Sequence, residues 1–173
     1  MSKQIYAHFG HNHFDAESMD KIQNRTLGVK PVGGIWASPI DAEYGWIDWN
    51  ATEQFAECNP ENAFGFTLSD DARVLQITSH EQLMQIAEEY EAYIPFGIRD
   101  IAKMTGSVIL DFEDLAEDYD AIEVSISSDR QLYHDLYGWD CDSILVMNPD
   151  VVEEISRDSG IPLTEALGVL SAL

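Results

Sequence analysis

The chain has 173 residues, 45% of them hydrophobic and 10% aromatic, with four Trp and seven Tyr. That composition predicts one folded domain over residues 1–173 and excludes a disordered acidic tail, which would be poor in aromatics. Only nine Lys and Arg face 32 Asp and Glu, a net charge of −23, which excludes a surface built to gather bare nucleic-acid backbone. In chain order, Lys3 to Phe9 reads as a strand with Ile5, Ala7 and Phe9 on one face. Residues 10–32, rich in Asn, His and Gly, read as a long loop with one short helix. Gly33 to Ser38 is a second strand, ended by Pro39. Ala42 to Phe55 carries Trp46, Trp49 and Phe55 between polar residues, the pattern of a helix covering the core. Phe64 to Leu68 and Arg73 to Thr78 are strand-like. Ser79 with Gln82 forms a capping box, and Leu83, Ile86, Ala87 and Tyr90 follow at helical spacing. Ser107 to Leu110 is another short strand, and Asp111 to Asp118 an acidic helix. Ala121 to Ser127 alternates as a half-buried strand. Asp129 to Tyr137 is helical, pairing Leu132 with Leu136 and Tyr133 with Tyr137. Ser143 to Met147 is a buried strand stopped by Asn148-Pro149, and a last helix runs from Ile161 to Leu170. Helices of unequal length between the strands predict an α+β fold with mostly antiparallel strands, not a doubly wound sheet.

The longest apolar runs, such as Ile144 to Met147, are far too short to cross a bilayer, so no membrane partner is expected. Met1 to Tyr6 lacks the apolar core of a secretion signal. Cys58 and Cys141 are isolated and give neither a zinc spacing nor a disulfide framework, which points to a reducing cytoplasm. Phosphate loops of the Walker type, Gly-x-Gly-x-x-Gly fingerprints and Gly-x-Ser-x-Gly elbows are all missing. The nearest approach to a phosphate-neutralising cluster is Lys21, Arg25 and Lys30, too sparse for non-specific nucleic-acid binding.

Several segments carry candidate chemistry beside a plainer reading. In Gly33-Gly34-Ile35-Trp36-Ala37-Ser38-Pro39 two glycines permit a close backbone approach, and an aromatic and a small hydroxyl follow. Such a pair suits stacking on a planar ring and bonding a sugar or phosphate; a glycine turn into a core strand with a buried Trp explains it equally. Tyr6-Ala7-His8-Phe9-Gly10 ends a strand in His and Gly, a placement from which an imidazole can bond ligand hydroxyls. His11 and His13 flank Asn12, but no third ligand follows at a metal spacing, so no metal is expected. Trp139-Asp140-Cys141-Asp142-Ser143 sets carboxylates at a strand edge beside an aromatic, able to face a cationic sugar centre, though Asp-x-Asp is also a common loop pattern. Glu123 interrupts an apolar strand from its polar face. Asp111 to Asp120 lacks the glycine and spacing of a calcium loop and reads as a solvated helix face.

Taken in order, His8-Phe9-Gly10, then Gly34-Ile35-Trp36-Ala37-Ser38, then an acidic residue before a late apolar strand, resembles the ADP-ribosyltransferase superfamily, in its poly-ADP-ribose polymerase and diphtheria-toxin branch. Trp36 stands where that branch has a tyrosine, and Ser143 to Pro149 resembles its last motif strand and the Asn-Pro that follows. The resemblance implies a split pair of small, mostly antiparallel sheets with flanking helices and NAD, as substrate, in the cleft between them. It implies a binding set of His8, Phe9, Gly10, Gly34, Trp36, Ser38 and Tyr44, with Trp36 stacked on nicotinamide and His8 donating to the ribose. The catalytic carboxylate falls to Asp142, one place before Ser143 where the branch has Glu, or to Glu123, with His8 beside it. A nucleophile on a macromolecular target, with a protein target expected, or water would take the ADP-ribose, as for a toxin or a phage or mobile-element effector. A second expectation comes from the charge alone: a non-enzymatic acidic inhibitor or nucleic-acid mimic that binds a basic protein partner.

Overall fold

The computed structural model describes residues 3–25, 30–54, 58–92 and 106–156. They form an α+β fold around one sheet, with strands β1 (Tyr6–Phe9), β2 (Ile35–Pro39), β3 (Ala63–Leu68), β4 (Val74–Ile77), β5 (Ala121–Val124), β6 (Ser143–Val146) and β7 (Val152–Glu154). Their order across the sheet is β4-β5-β6-β2-β1-β3-β7. Only β4 and β5 run parallel; every other pairing is antiparallel.

Helices α1 (Trp46–Glu53), α2 (His80–Glu89), α3 (Phe112–Asp118) and α4 (Arg130–Asp135) accompany the strands. Each of the last three starts where a side chain takes up orphan amides of the first turn. Asp111 accepts from the Glu113 and Asp114 amides, and Asp129 from that of Gln131. Ser79 accepts from the Gln82 amide at 3.3 Å, while the Gln82 side chain reaches past Ser79 to the Thr78 amide at 2.8 Å. The box expected there is thus closed one residue earlier.

Period-two alternation sorts the strand side chains into two cores. Leu75, Ile77, Ile122, Val124 and Leu145 face Leu83, Phe112, Leu115 and Leu132 of the helices, and Trp139 lies fully buried among them. On the opposite face Tyr6, Ile35, Phe64, Phe66, Ile144 and Val146 pack together, flanked by Phe14 and Met19.

Several expectations need correction. The two small sheets are one, joined at β1–β2 by only two residue pairs, Tyr6↔Pro39 and Ala7↔Ser38. Ser107 to Leu110 is not a strand; among the described residues its one ladder contact is a bridge from Leu110 to Glu91. The helix expected from Ala42 begins at Trp46, because Asp48 caps the Gly45 amide at 3.0 Å, and Asn50 is its one buried residue. It does not cover the core; Trp46 and Trp49 stack on each other at 5.0 Å. Strand β5 stops at Val124 and turns through Ile126–Ser128. The helix expected over Ile161 to Leu170 lies outside the described residues. Among the described residues no helix is long and apolar enough to cross a membrane.

Candidate functional site

The site follows from how β2 changes partners. Ile35, Trp36 and Ala37 pair with Val146, Leu145 and Ile144 of β6, whereas β1 meets β2 only at Ser38 and Pro39. Strand β1 stays with β3 through Phe9↔Ala63. Beyond Ala7↔Ser38, β1 and β2 therefore part, and backbone groups that would have closed the ladder need other partners. The His8 imidazole supplies one, its Nδ1 lying 2.8 Å from the Trp36 carbonyl oxygen.

A cleft opens at this parting. Its narrower compartment, about 260 Å³, is walled by Phe9, Trp36, Ser38 and Trp46 and by Asp140 and Cys141. The wider one, about 560 Å³, runs past His11, His13, Asp15, Asp20 and Gly34. The two meet at His8, Arg25, Pro31 and Trp36, which line both. The wider volume alone is within the roughly 300–1,000 Å³ of small-molecule sites.

Each wall has a local cause. Trp36 is fixed edge-on against the buried Trp139, ring centres 4.6 Å apart. Lys30 Nζ sits over the Trp36 ring at 5.0 Å and pairs with Asp140 at 3.5 Å. Ser38 Oγ donates to the Asp142 carbonyl at 2.8 Å and accepts from the Trp46 amide at 3.0 Å. Its hydroxyl thus joins β2 to the start of α1 and to the segment before β6. Gly34 is required twice over: its φ is positive, and a Cβ there would stand 2.7 Å from the Val146 carbonyl oxygen. The close approach read from the glycine pair is made to β6 and to the chain at Asp20, whose carbonyl accepts the Gly34 amide at 2.9 Å.

The Trp36 carbonyl only accepts, so His8 Nδ1 carries the proton and the Nε2 lone pair of neutral His8 accepts from His11 Nδ1 at 3.2 Å. Burial lowers the His8 pKa from its ordinary value, the bond to Trp36 opposes this, and His11 adds to it. His8 is therefore neutral near pH 7 with its one donor committed, which overturns the expectation of a free donor for ribose. Burial also pushes the Cys141 thiol up to about 11, leaving it a protonated, unreactive part of the wall.

Of the residues singled out from the sequence, His8, Phe9, Trp36 and Ser38 line the narrower compartment and Gly34 the wider. Gly10 lines neither, and its amide is used by the Asn62 carbonyl at 2.8 Å. Tyr44 also lines neither; its carbonyl accepts from the Asp142 amide at 2.9 Å and its amide donates to the Asp142 carboxylate at 3.5 Å. The Asp142 side chain is turned out of the cleft and is 5% exposed. Its Oδ1 accepts from the Ser127 amide at 2.8 Å, and its Oδ2 from the Ser127 hydroxyl at 2.6 Å. Glu123 lies on the sheet face that carries Tyr6, bonded by the Tyr6 hydroxyl at 3.0 Å, and burial raises its pKa. Among the described residues, the carboxylate that does line the narrower compartment is Asp140. Sequence reasoning placed it in the right segment but passed over it, because the residue next to the strand matched the expected motif better. No group of His, Cys, Asp and Glu among the described residues has the geometry of a metal site.

No protein-family model matches the chain, and no curated protein or solved structure matches it at a significant level.

Proposed function

We propose that the cleft binds NAD and that the protein transfers its ADP-ribose to a macromolecular acceptor, in the manner of the ADP-ribosyltransferases its motifs resemble. The observation carrying this reading is the parting of β1 and β2: the strands bearing the His-Phe-Gly and Gly-Ile-Trp-Ala-Ser motifs separate where His8, Phe9, Trp36 and Ser38 face one cavity. Trp36 is the flat wall for the nicotinamide end. The His8 Nε2 lone pair accepts from a ribose hydroxyl when His11 gives way. Asp140 is the negative group near the reacting centre. As the bond between ribose C1′ and nicotinamide breaks, nicotinamide keeps the electron pair and positive charge grows on the ribose. A carboxylate fixed beside that charge stabilises the transition state more than bound NAD. The acceptor nucleophile then bonds C1′ and releases its proton to solvent.

The test is a calorimetric titration of NAD with nicotinamide release followed in the same sample. Binding with slow release is the expected result. Neither heat nor nicotinamide at millimolar NAD would remove the enzyme reading, and capture of a basic protein partner by the acidic surface would then lead.

A further inference from the structure

The chain carries a net charge of −23, yet among the described residues the Lys and Arg lining the cleft, Arg25 and Lys30, both stand at or beside its neck. Asp15 and Asp20 line the wider compartment, so a negative ligand group is favoured at the neck and disfavoured further along. Lys30 is already occupied. Its ammonium lies 5.0 Å over the Trp36 ring and 3.5 Å from Asp140, so it hides the flat wall and neutralises the carboxylate that, among the described residues, lines the narrower compartment. Both ties are weak by nature, since Lys30 and Asp140 side chains keep 33% and 29% of their exposure and water screens the pair.

We infer that Lys30 is a ligand-displaced latch: an entering diphosphate draws its ammonium off Trp36 and Asp140, uncovering the stacking wall and freeing the carboxylate only when the anion is in place. For the identity of the natural ligand this rests on the NAD reading; the latch itself requires only a phosphate-bearing anion. A multiply charged anion outcompetes a single, partly solvated carboxylate for the ammonium. Arg25, exposed and lining both compartments, completes the anion's grip. The device keeps an uncompensated carboxylate and a bare aromatic face from meeting water in the empty cleft, and ties the Asp140 charge to the presence of substrate.

Inorganic pyrophosphate is the probe, so that no glycosidic chemistry is involved. Calorimetry measures its affinity, and tryptophan fluorescence reports the uncovering of Trp36. The wild-type protein should bind it with a fluorescence change that disappears in Trp36→Phe. Lys30→Gln should weaken binding at least tenfold, whereas Lys21→Gln, a charge loss outside the cleft, should leave it within twofold. Asp140→Asn should tighten binding severalfold, and in the Lys30→Gln background that gain should vanish, because the carboxylate acts through the ammonium. An Asp140→Asn gain that persists without Lys30 would mean simple repulsion of the anion and would overturn the latch. So would the lack of any response to pyrophosphate at about 10 mM. If pyrophosphate behaves as described while NAD neither binds nor is cleaved, the latch stands and the NAD reading falls. If NAD is bound and cleaved equally well without Lys30, the NAD reading stands and the latch falls.

Discussion

Replacing Asp142 by Ala should damage the fold more than the chemistry, and its neighbour Asp140 should do the reverse. Asp142 is 5% exposed and receives two short bonds from Ser127, 2.8 Å from the amide and 2.6 Å from the hydroxyl, and a longer one of 3.5 Å from the Tyr44 amide. Hydrogen bonds to a charged acceptor are each worth about 1.5–3 kcal/mol, and truncation also leaves buried donors unsatisfied. Counting the two short bonds, Asp142→Ala should cost about 3–6 kcal/mol. In a chain of this length, at about 2–4 °C per kcal/mol, that lowers the melting temperature by roughly 6–24 °C. Asp140 makes one ion pair of 3.5 Å with its side chain 29% exposed, so Asp140→Asn should cost less than about 1 kcal/mol. Circular-dichroism melts measure both, and nicotinamide release on the same samples separates stability from turnover. For Asp140→Asn, NAD affinity should rise no more than severalfold, as Lys30 is released, while turnover of bound NAD falls by about a hundredfold, the scale of losing one preorganised electrostatic group. For Asp142→Ala, release at low temperature should fall only with the folded fraction. An Asp142→Ala protein that melts like the wild type, binds NAD and has lost turnover would refute this reasoning.

Trp36→Ala should weaken NAD binding by about 1–3 kcal/mol in calorimetry through lost stacking area, with little effect on the turnover of bound NAD. The pH dependence of stability should show two features. Asp120, bonded through both oxygens by Arg73 and by Asn148 at 2.9 Å, has its pKa drawn down from 3.8 to about 2, the Arg73 bond being the main cause. Its contribution is complete above pH 3.8 and is lost as pH falls toward 2, so urea titrations of Asp120→Asn should lose less stability over that interval than wild type. His8 is held below 6.5 mainly by burial, so the unfolded chain takes up its proton first. Stability should decline as pH drops below 6.5, by no more than about 1.4 kcal/mol per pH unit for one proton, and the decline should shrink in His8→Phe.

The elements that were legible in the sequence are those whose local chemistry and burial agree. In α2, Ser79, Gln82 and the spacing of Leu83 and Ile86 all point to the same start and the same buried face. Strand β5 alternates Ile122 and Val124 against Ala121 and Glu123, and the two cores lie on those two sides. Strand β7 was missed because Val152, Glu153 and Glu154 have no apolar periodicity; it owes its existence to pairing with Phe66, Thr67 and Leu68 at the sheet edge. Trp46 and Trp49 misled for the opposite reason. Aromatics at near-helical spacing normally mark a buried stripe, but here they stack on each other and Trp46 walls a cavity. Asn148-Pro149, which carried part of the family resemblance, serves the local structure, since Asn148 caps the turn at Asp150 at 3.0 Å and holds Asp120.

The site was legible as a set of segments and not as a set of side chains, because bends and long-range pairing aim the side chains. Asp140 and Asp142, two residues apart, would share one face of an extended chain, but the chain bends at Cys141 and Asp142 before β6 and parts them. The segment from Asp140 to Ser143 enters β6 with Ser143 and Cys141 along the cleft and the Asp142 carboxylate turned toward Ser127. Which acid faced the cavity therefore depended on the pairing of β6 with β2 and β5, set by residues far away in sequence. The same long-range pairing decides where β1 leaves β2, and hence that His8 spends its proton on Trp36. Aligning short motifs recovers the strands that border such a cleft, because each strand needs its own apolar pattern. It cannot recover which polar groups are already used, since Ser38, His8, Asp142 and Lys30 are each committed to a partner more than ten residues away. The groups that remain displaceable are the partly solvated ones, Lys30 and Asp140, and the proposed chemistry falls to them for that physical reason.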